Sequence, residues 1–243
     1  MARFLLSPDQ WNLAELTGDE AKHLAQVLRI KCGAQITVFD GAGRRAQAWV
    51  HEVSRDRVTL QLGESLTSSP SLPRVTLAQA IPKGKNMELI VQKAVELGVS
   101  RIQPLITSHT VVQPADRKVD KWRRIALEAC KQCGQDTLPH IAEPRNFVDW
   151  LESHPEGELR MIASLADGAR PMRKVVRDHE AVATCSLLVG PEGDFSVAET
   201  ASAIAAGFQP ISLGDIVLRV ETATIFCLSA LRYEFSETRE GTS

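Results

Sequence analysis

The sequence predicts an α/β protein with two parts, a small β-rich domain over residues 1–69 and a larger domain over residues 74–243. In the larger part, short apolar runs alternate with helical patterns, which is typical of a mostly parallel sheet. The smaller part has one short helix followed by strand-like runs, as in a small β-barrel. The segment 67–73 between them is uncharged and rich in Ser and Pro, as expected of a linker.

The first domain is predicted to begin with a helix. Thr17-Gly18-Asp19-Glu20 has the pattern of a capping box, and the helix that it starts is expected to run through Arg29. After this helix, alternating apolar residues predict three strands, over residues 35–40, 46–53 and 57–62.

A glycine-rich segment lies between the first two of these strands. Gly41-Ala42-Gly43-Arg44-Arg45-Ala46 matches the glycine pattern of dinucleotide-binding proteins, which would make the protein an oxidoreductase. That pattern requires a helix after it, whereas residues 47–53 alternate like a strand. We therefore predict a hairpin turn at Asp40-Gly41, with Arg44 and Arg45 exposed at its tip.

The second domain contains five apolar runs that predict strands, over residues 75–81, 101–106, 159–164, 186–189 and 210–213. Helical spacing of apolar residues predicts one helix that starts near Met87 and is closed by Gly98, and another over residues 120–134. Ser196-Val197-Ala198-Glu199 is a capping box that starts a further helix.

Composition limits the possible functions. The chain has 243 residues, and no run reaches the roughly 20 apolar residues of a membrane-spanning helix, so we expect a cytoplasmic protein. Five cysteines, an odd number, favour reduced thiols. Cys130 and Cys133 have a metal-ligand spacing, but no second pair exists and both extend an apolar helix face, so we expect no metal site. The motifs of phosphate-binding loops, serine hydrolases and zinc proteases do not occur in the sequence.

Charge is distributed unevenly along the chain. The net charge is −2, yet residues 74–131 hold eleven Lys and Arg against five Asp and Glu, while residues 132–243 hold nine against seventeen. The basic middle part indicates possible contacts with phosphates, although a solvated helix face is the commoner meaning of a single run of charges.

Two short segments near the end carry the chemistry. Gly190-Pro191-Glu192-Gly193 follows a buried strand, and Leu218-Arg219-Val220-Glu221-Thr222-Ala223 opens a helix. Ligands of open α/β sheets bind where strands end, because glycine lets the backbone come close to a ligand there. Taken separately, the two segments are better explained as tight turns and, for Glu221 and Thr222, as first-turn residues that suit the positive end of a helix.

Taken together, these segments and several others resemble the RsmE family of ribosomal RNA uridine N3-methyltransferases, a branch of the SPOUT methyltransferases. The resemblance covers nearly the whole chain. Its further motifs are Ala2-Arg3-Phe4, His23 with Val27-Leu28-Arg29, Lys83-Gly84-Lys85-Asn86-Met87-Glu88, residues 92–99, Ile102-Gln103-Pro104 and Leu213-Gly214.

The resemblance implies an N-terminal PUA-like β-barrel that helps to bind RNA and a C-terminal α/β domain whose last segments form a trefoil knot. It also implies a homodimer, to which an apolar last helix with Ile225, Phe226, Leu228 and Leu231 contributes unless that face serves as core. The cofactor would be S-adenosylmethionine, held largely by backbone groups. The residues expected to bind it are Leu188, Gly190, Pro191, Glu192, Gly193, Leu213, Gly214, Val217 and Leu218.

The implied reaction is methylation of N3 of a uridine in small-subunit (16S) ribosomal RNA, on the 30S subunit. Arg219 is expected to stabilise the negative charge that develops on the uracil, while Glu221 or Glu192 accepts the proton or positions Arg219. A non-catalytic RNA-binding or ribosome-assembly factor of the same fold is the alternative. The residues expected to contact RNA phosphates are Arg3, Arg29, Arg44, Arg45, Lys83, Lys85, Lys93 and Arg124.

The chain departs from the family pattern at a few positions. The family commonly has glycine at Asp194, proline and arginine at Asp215 and Ile216, threonine at Val220 and arginine at Gln135. The loss of two arginines is expected to weaken RNA contacts, for which Arg123, Arg124 or Lys131 are candidates to compensate.

Overall fold

A computed structural model of the chain describes residues 2–68, 73–111, 117–153, 159–166, 168–179 and 182–235. By their packing these residues form two compact units. The first consists of the residues before position 71 together with Leu127–Leu138, and the second consists of the remaining residues. The boundary expected from the sequence, between residues 69 and 74, places the segment Leu127–Leu138 differently, because linear sequence does not reveal which unit a later segment joins.

The first unit contains a five-stranded sheet in the order β1-β3-β4-β5-β2, in which β1 and β3 are parallel and the other pairs antiparallel. A five-residue π-helix, His23–Val27, continues its second α-helix. The elements are β1 (Arg3–Leu5), α1 (Pro8–Leu13), β2 (Glu15–Thr17), α2 (Gly18–Lys22), β3 (Gln35–Phe39), β4 (Arg44–Val53) and β5 (Arg57–Thr67).

The second unit contains an eight-stranded sheet in the order β11-β13-β10-β12-β6-β7-β8, with β9 also pairing with β7, and every strand pair in it is parallel among the described residues. The strands are β6 (Arg74–Ala80), β7 (Arg101–Ile106), β8 (His140–Ile141), β9 (Arg145–Asn146), β10 (Leu159–Ala163), β11 (Arg170–Pro171), β12 (Thr184–Val189) and β13 (Gln209–Ser212). The helices of this unit are α3 (Asn86–Glu96), α5 (Phe147–Glu152), α6 (Met172–Arg177), α7 (Val197–Ala205) and α8 (Val220–Phe235). Helix α4 (Arg117–Cys133) begins in this unit, and its residues from Leu127 onward belong to the first unit.

The predicted mostly parallel sheet is confirmed, and each of its five predicted strands overlaps an observed one. The strands are apolar on both faces because helices flank a parallel sheet, so they read as continuous apolar runs. The helix that begins at Asn86 ends as predicted near Gly98, whose φ of +84° suits a residue without a Cβ. Cys130 is buried, but Cys133 is exposed, so the prediction that both thiols lie on the apolar face of α4 was wrong for Cys133.

The hairpin predicted at Asp40-Gly41 is confirmed, because β3 and β4 pair antiparallel around it. Residues 44–53 form strand β4 where the dinucleotide-binding pattern would need a helix, so that interpretation is wrong. Arg44 is also less exposed than predicted. Its guanidinium lies 4.0 Å from the centre of the Trp11 ring and its Nε pairs with Asp40 at 3.2 Å.

The start of the first unit was predicted incompletely. Thr17 precedes α2, but its side chain makes no capping hydrogen bond, so the predicted capping box is wrong there. Instead the side-chain amide of Gln10 donates to Thr17 Oγ1 at 2.7 Å, and a Glu20 oxygen accepts the N–H of Leu5. The capping box lies earlier, at Ser7 and Gln10, and starts α1, a helix that we did not predict although its sequence carried the signal.

A buried ion pair joins the two sequence segments of the first unit. Asp136 accepts hydrogen bonds from Arg3 at 2.7 Å and from Arg45 at 3.2 Å, and the Ser68 hydroxyl donates to it at 3.2 Å. The Arg3 side chain is 14% exposed and that of Asp136 only 4%. Because a buried charge without a partner is costly, this pair fixes the segment Leu127–Leu138 to the sheet of the first unit.

Replacing the buried carboxylate should therefore destabilise the protein strongly. We expect Asp136→Asn, which keeps the shape but leaves Arg3 without its counter-charge, to lower the free energy of unfolding by about 3 kcal/mol or more. The control is Glu143→Gln, whose pair with Arg123 is exposed at the surface and should cost less than about 1 kcal/mol. Denaturant unfolding measures both, and equal effects of the two variants would refute the structural role given to Asp136.

Candidate active site

A cleft of about 860 Å³ lies in the second unit, where strands β10, β12 and β13 end. Its lining comes from three stretches, residues 163–166 with 168–169, residues 189–192 with 194, and residues 212–221 with 223, together with Asn86. These strands are neighbours in a parallel sheet, so their carboxyl ends meet at one edge, which is where open α/β sheets bind ligands. A cleft of this size is typical of small-molecule sites, which span roughly 300–1,000 Å³.

The glycine turn after β12 is tightly built. The carbonyl of Pro191 accepts the N–H of Asp194 at 2.9 Å, and a Cβ on Gly190 would lie 3.0 Å from Asp194 Oδ1. Asp194 itself has a φ of +58°, and its Oδ1 accepts the N–H of Phe195 at 2.8 Å. Aspartate is one of the residues that tolerate this left-handed conformation, so the chain keeps the turn although the family commonly has glycine here.

Two carboxylates of the cleft are held by the loop between β6 and α3 and by the first residue of α3. The N–H of Lys83 donates to Glu192 Oε1 at 2.9 Å, and the side-chain amide of Asn86 donates to Glu221 Oε2 at 3.3 Å. Asn86 was missed as a site residue, although it stands in the Lys83-to-Glu88 motif that supported the family resemblance. Both acidic groups are therefore oriented before any ligand arrives.

Arg219 lies at the wall of the cleft, directly before α8. Its carbonyl accepts the N–H of Ala223 at 2.8 Å, which fixes its backbone to the first turn of the helix. The side chain is exposed, and no ion pair engages its guanidinium within the described residues. This cation is therefore available to a negatively charged group in the cleft.

Seven of the nine predicted cofactor-binding residues line the cleft, namely Gly190, Pro191, Glu192, Leu213, Gly214, Val217 and Leu218. The other two do not line it. Leu188 is fully buried in the core, and Gly193 packs against the His109 side chain. The third wall, residues 163–166 and 168–169 after β10, was missed because it carries no motif, and only the strand end before it could have indicated it.

The predicted RNA-binding residues fall into two groups. Arg3, Arg45, Arg44 and Lys93 are engaged by carboxylates of their own unit, Asp136, Asp40 and Glu96. The side chains of Arg29, Lys83, Lys85 and Arg124 are exposed, and within the described residues no ion pair engages them. Only this second group is free to meet phosphates without first breaking an internal pair.

Glu199 connects the loops that support the glycine turn. Its carboxylate accepts the N–H of Ser108 at 2.8 Å and that of Ser196 at 2.9 Å, and the Ser196 hydroxyl donates to it at 2.8 Å. The capping box predicted at Ser196 is thereby confirmed. Burial alone would raise the pKa of Glu199, but the hydrogen bonds from Ser108 and Ser196 outweigh it and hold this pKa below its usual value.

The buried thiols are not candidates for nucleophilic chemistry. Burial, with a smaller contribution from Cys185, raises the pKa of Cys227 to about 12. Burial and the neighbouring Cys133 raise that of Cys130 to about 12 as well. A cysteine nucleophile reacts as the thiolate, so both groups act as small apolar side chains at neutral pH.

Comparison with known proteins identifies two domains in the chain. Residues 69–232 match the model of an RNA methyltransferase domain, and residues 16–63 match that of an RNA methyltransferase PUA domain. Ribosomal RNA small subunit methyltransferase E of Synechocystis sp. is 34% identical over 94% of this chain and 76% of its own length.

Two solved structures are also similar. The ribosomal RNA small subunit methyltransferase E of Neisseria gonorrhoeae, bound to S-adenosyl methionine, is 30% identical with a TM-score of 0.87, covering 97% of this chain and 98% of its own. A methyltransferase of Legionella pneumophila in complex with the same cofactor is 34% identical with a TM-score of 0.82, covering 90% and 91%.

The α/β domain with its cleft and the PUA domain together define an RNA methyltransferase. The chain belongs to the ribosomal RNA small subunit methyltransferase E family. The fold class predicted from the resemblance, a SPOUT-type α/β domain with an N-terminal PUA domain, is thus confirmed. No helix in the described part of the chain is long and apolar enough to cross a membrane.

The lowered pKa of Glu199 predicts that the free energy of unfolding decreases at acid pH. Between the unfolded and folded pKa values the unfolded chain binds more protons, so this contribution to stability is complete above pH 4.5 and is lost as the pH falls through the folded pKa. Glu199→Gln should lower the free energy of unfolding at pH 7 by roughly 1–3 kcal/mol. It should also weaken the dependence on acid pH relative to the wild type.

The measurement is denaturant unfolding at neutral and acid pH, with Glu152→Gln at an exposed position as the matched control. The control should follow the wild-type pH profile. A Glu199→Gln profile parallel to that of the wild type would show that this carboxylate is not held by the bonds described.

Proposed function

We propose that the protein transfers the methyl group of S-adenosylmethionine to N3 of one uridine in 16S ribosomal RNA, giving 3-methyluridine, in the 30S subunit and in the cytoplasm. One observation carries the proposal. A single cleft brings together a glycine turn, a backbone-rich loop, an exposed arginine and two oriented carboxylates. Backbone and apolar surface suit a cofactor, whereas the charged groups suit proton removal from an acceptor.

The walls of the cleft fit S-adenosylmethionine. Gly190 has no side chain in the turn, and Gly214, which is exposed, adopts a φ of +116° that glycine tolerates, so its backbone is accessible. Leu165 and Val217 line the cleft, are 65% and 72% exposed, and offer apolar surface for an adenine ring. When bound, the cofactor supplies a methyl group on a sulfonium, which is an electrophile.

Arg219 is assigned the role of charge stabilisation. Uridine N3 carries a proton at neutral pH, so the ring must develop negative charge before its nitrogen can attack a methyl carbon. A guanidinium placed at the cleft wall favours that charge most where water is excluded. The free guanidinium of Arg219 meets this requirement, because its charge is not spent on a neighbouring carboxylate of the described residues.

Glu221 is assigned as the proton acceptor, with Glu192 as the alternative. Glu192 is fixed by a backbone N–H at 2.9 Å, while Glu221 is held by the longer 3.3 Å bond to Asn86. Glu221 lies on the first turn of α8, two positions after Arg219, so one helix end presents both the acceptor of the proton and the stabilising cation. Asn86 orients that carboxylate.

We further propose that the enzyme is a homodimer and that its last segments form the trefoil knot of its family. Leu228 and Leu231 of α8 are each 2% exposed and serve as core, so they are not available to a partner. Phe226 and Tyr233 on the same helix expose 46% and 81% of their surface, and Leu89 on α3 exposes 40%. These apolar side chains are the ones a second copy would cover.

The decisive test is transfer of labelled methyl from S-adenosylmethionine to 30S subunits and to naked 16S RNA, followed by nucleoside analysis. We expect label in 3-methyluridine. Label in another nucleoside would overturn the N3 assignment, and cofactor binding without transfer would point to a different RNA. Absence of both would favour a non-catalytic RNA-binding factor of the same fold.

In that assay, Arg219→Ala should lower the rate by about 100-fold or more, because removing one preorganised donor typically costs roughly 10²–10³ in kcat. Binding of the cofactor, measured by calorimetry, should change little. Arg232→Ala, at the exposed far end of the same helix, is the control and should retain the wild-type rate. An unchanged rate for Arg219→Ala would remove this residue from the chemistry.

The exposed lysines of the β6–α3 loop, Lys83 and Lys85, predict a salt effect on RNA binding. The double variant Lys83→Ala, Lys85→Ala should weaken affinity and reduce the slope of log K against log salt by roughly 1.4–1.8, if each lysine neutralises one phosphate. Lys93→Ala is the control, because Glu96 already engages that lysine at 2.8 Å. Equal slopes for the double variant and the wild type would exclude these lysines from the phosphate contacts.

A further inference from the structure

Gln79 is a fully buried polar side chain in strand β6, beneath the cleft. Its amide nitrogen donates to the carbonyl of Ala80 at 3.0 Å and to that of Val189 at 3.3 Å. Its Oε1 accepts the hydroxyl of Thr224 at 2.7 Å, and that hydroxyl also lies 3.0 Å from the carbonyl of Val220. Every polar atom of the Gln79 side chain therefore has a partner.

Two hydrogen-bond partners of Gln79, Val189 and Thr224, belong to the two sides of the candidate site, the glycine turn and the start of α8. Val189 is the last residue of β12 and directly precedes Gly190 of the glycine turn. Thr224 lies in α8, five positions after Arg219 and three after Glu221. One buried amide thus connects the strand end that forms the cofactor side to the helix end that carries the acceptor side.

The energetic cost of losing the hydrogen bonds of Gln79 favours one placement of β12 relative to α8. A buried carbonyl or hydroxyl without a partner is penalised, and in a low-dielectric interior hydrogen bonds are stronger than in water. The arrangement that satisfies Val189, Thr224 and the amide together is therefore favoured over nearby arrangements in which β12 and α8 shift relative to each other.

The neighbouring strand contains a natural comparison. Gln103 in β7 is also fully buried, and its amide nitrogen likewise donates to the carbonyl of the next residue, Pro104, at 3.0 Å. Its second bond goes to the carbonyl of Glu143 at 2.8 Å, away from the cleft lining. Among the described residues the Oε1 of Gln103 has no hydrogen-bond partner, so within that part of the chain this glutamine makes no link to a helix of the site.

We infer that Gln79 is a positioning residue for methyl transfer, which sets the placement of the Gly190 turn relative to Arg219 and Glu221. The inference rests on the proposed function. Gln79 lies below the cleft lining and acts through Val189 and Thr224 rather than by contact with a ligand. Alignment of reacting atoms is sensitive to small shifts, since a displacement of about 1 Å can cost on the order of 100-fold in rate.

The test uses near-isosteric variants of the full-length protein. Gln79→Leu and Thr224→Val should each lower kcat by about 10-fold or more at saturating cofactor and RNA, with KM values changed less than about 3-fold. Thr224→Ser keeps the hydroxyl and, unlike Thr224→Val, should retain the wild-type kcat. Gln103→Leu removes a matched buried amide and should leave kcat unchanged, whatever it does to stability.

Three outcomes would overturn the inference. The first is an equal kcat for Gln79→Leu and Gln103→Leu. The second is a loss of kcat/KM in Gln79→Leu that comes wholly from a higher KM. The third is a kcat for Thr224→Ser as low as that for Thr224→Val. If Gln79→Leu fails to fold, Thr224→Val tests the same bond from the other side with a smaller change in the core.

A readout independent of activity separates this inference from the proposed function. Amide hydrogen exchange in residues 186–194 and 219–228 should quicken in Gln79→Leu and not in Gln103→Leu, with no RNA or cofactor present. If the wild type makes no 3-methyluridine but exchange is faster in Gln79→Leu, the proposed function is rejected and the structural link through Gln79 is retained. Unchanged exchange at both segments would reject the link itself.

Discussion

The parallel pairing of β10, β12 and β13 is the constraint on which the rest of the second unit depends. Parallel strands end at the same edge of a sheet, so three chain segments that are far apart in sequence meet there. Each must then turn away within a few residues without filling the space between them. The turn at Gly190 and the positive φ of Gly214 satisfy that requirement, and the cleft is the space that they leave open.

The sequence predicted the long elements and the motif-bearing loops because both leave a local signal. Buried parallel strands such as β7 are continuous apolar runs, and α7 begins with a capping box. Strands of two or three residues, such as β1 and β8, are too short to show a period. The wall after β10 was missed for a related reason, since its place in the cleft follows from strand order rather than from residue type.

Charged residues show where local reading fails. Arg3 and Arg29 look alike in the sequence, and both lie in motifs of the family. In the structure Arg3 neutralises Asp136, which is 133 positions away, while Arg29 is exposed. A basic side chain that meets a phosphate and one that balances a buried carboxylate differ only in their distant partner. The sequence therefore overestimated the number of basic side chains that are available to contact phosphates.

The division between backbone and side chains explains which departures from the family pattern matter. The turn after β12 presents backbone groups, and Asp194 preserves its conformation by adopting a φ of +58° and capping Phe195 through its own side chain. Recognition by backbone survives such a change. Asp215 and Ile216 lie in the cleft wall with their side chains exposed, so replacing proline and arginine there changes the groups presented to a ligand. Their effect should fall on the RNA side of the proposed reaction, which depends on side-chain charge, rather than on the cofactor side.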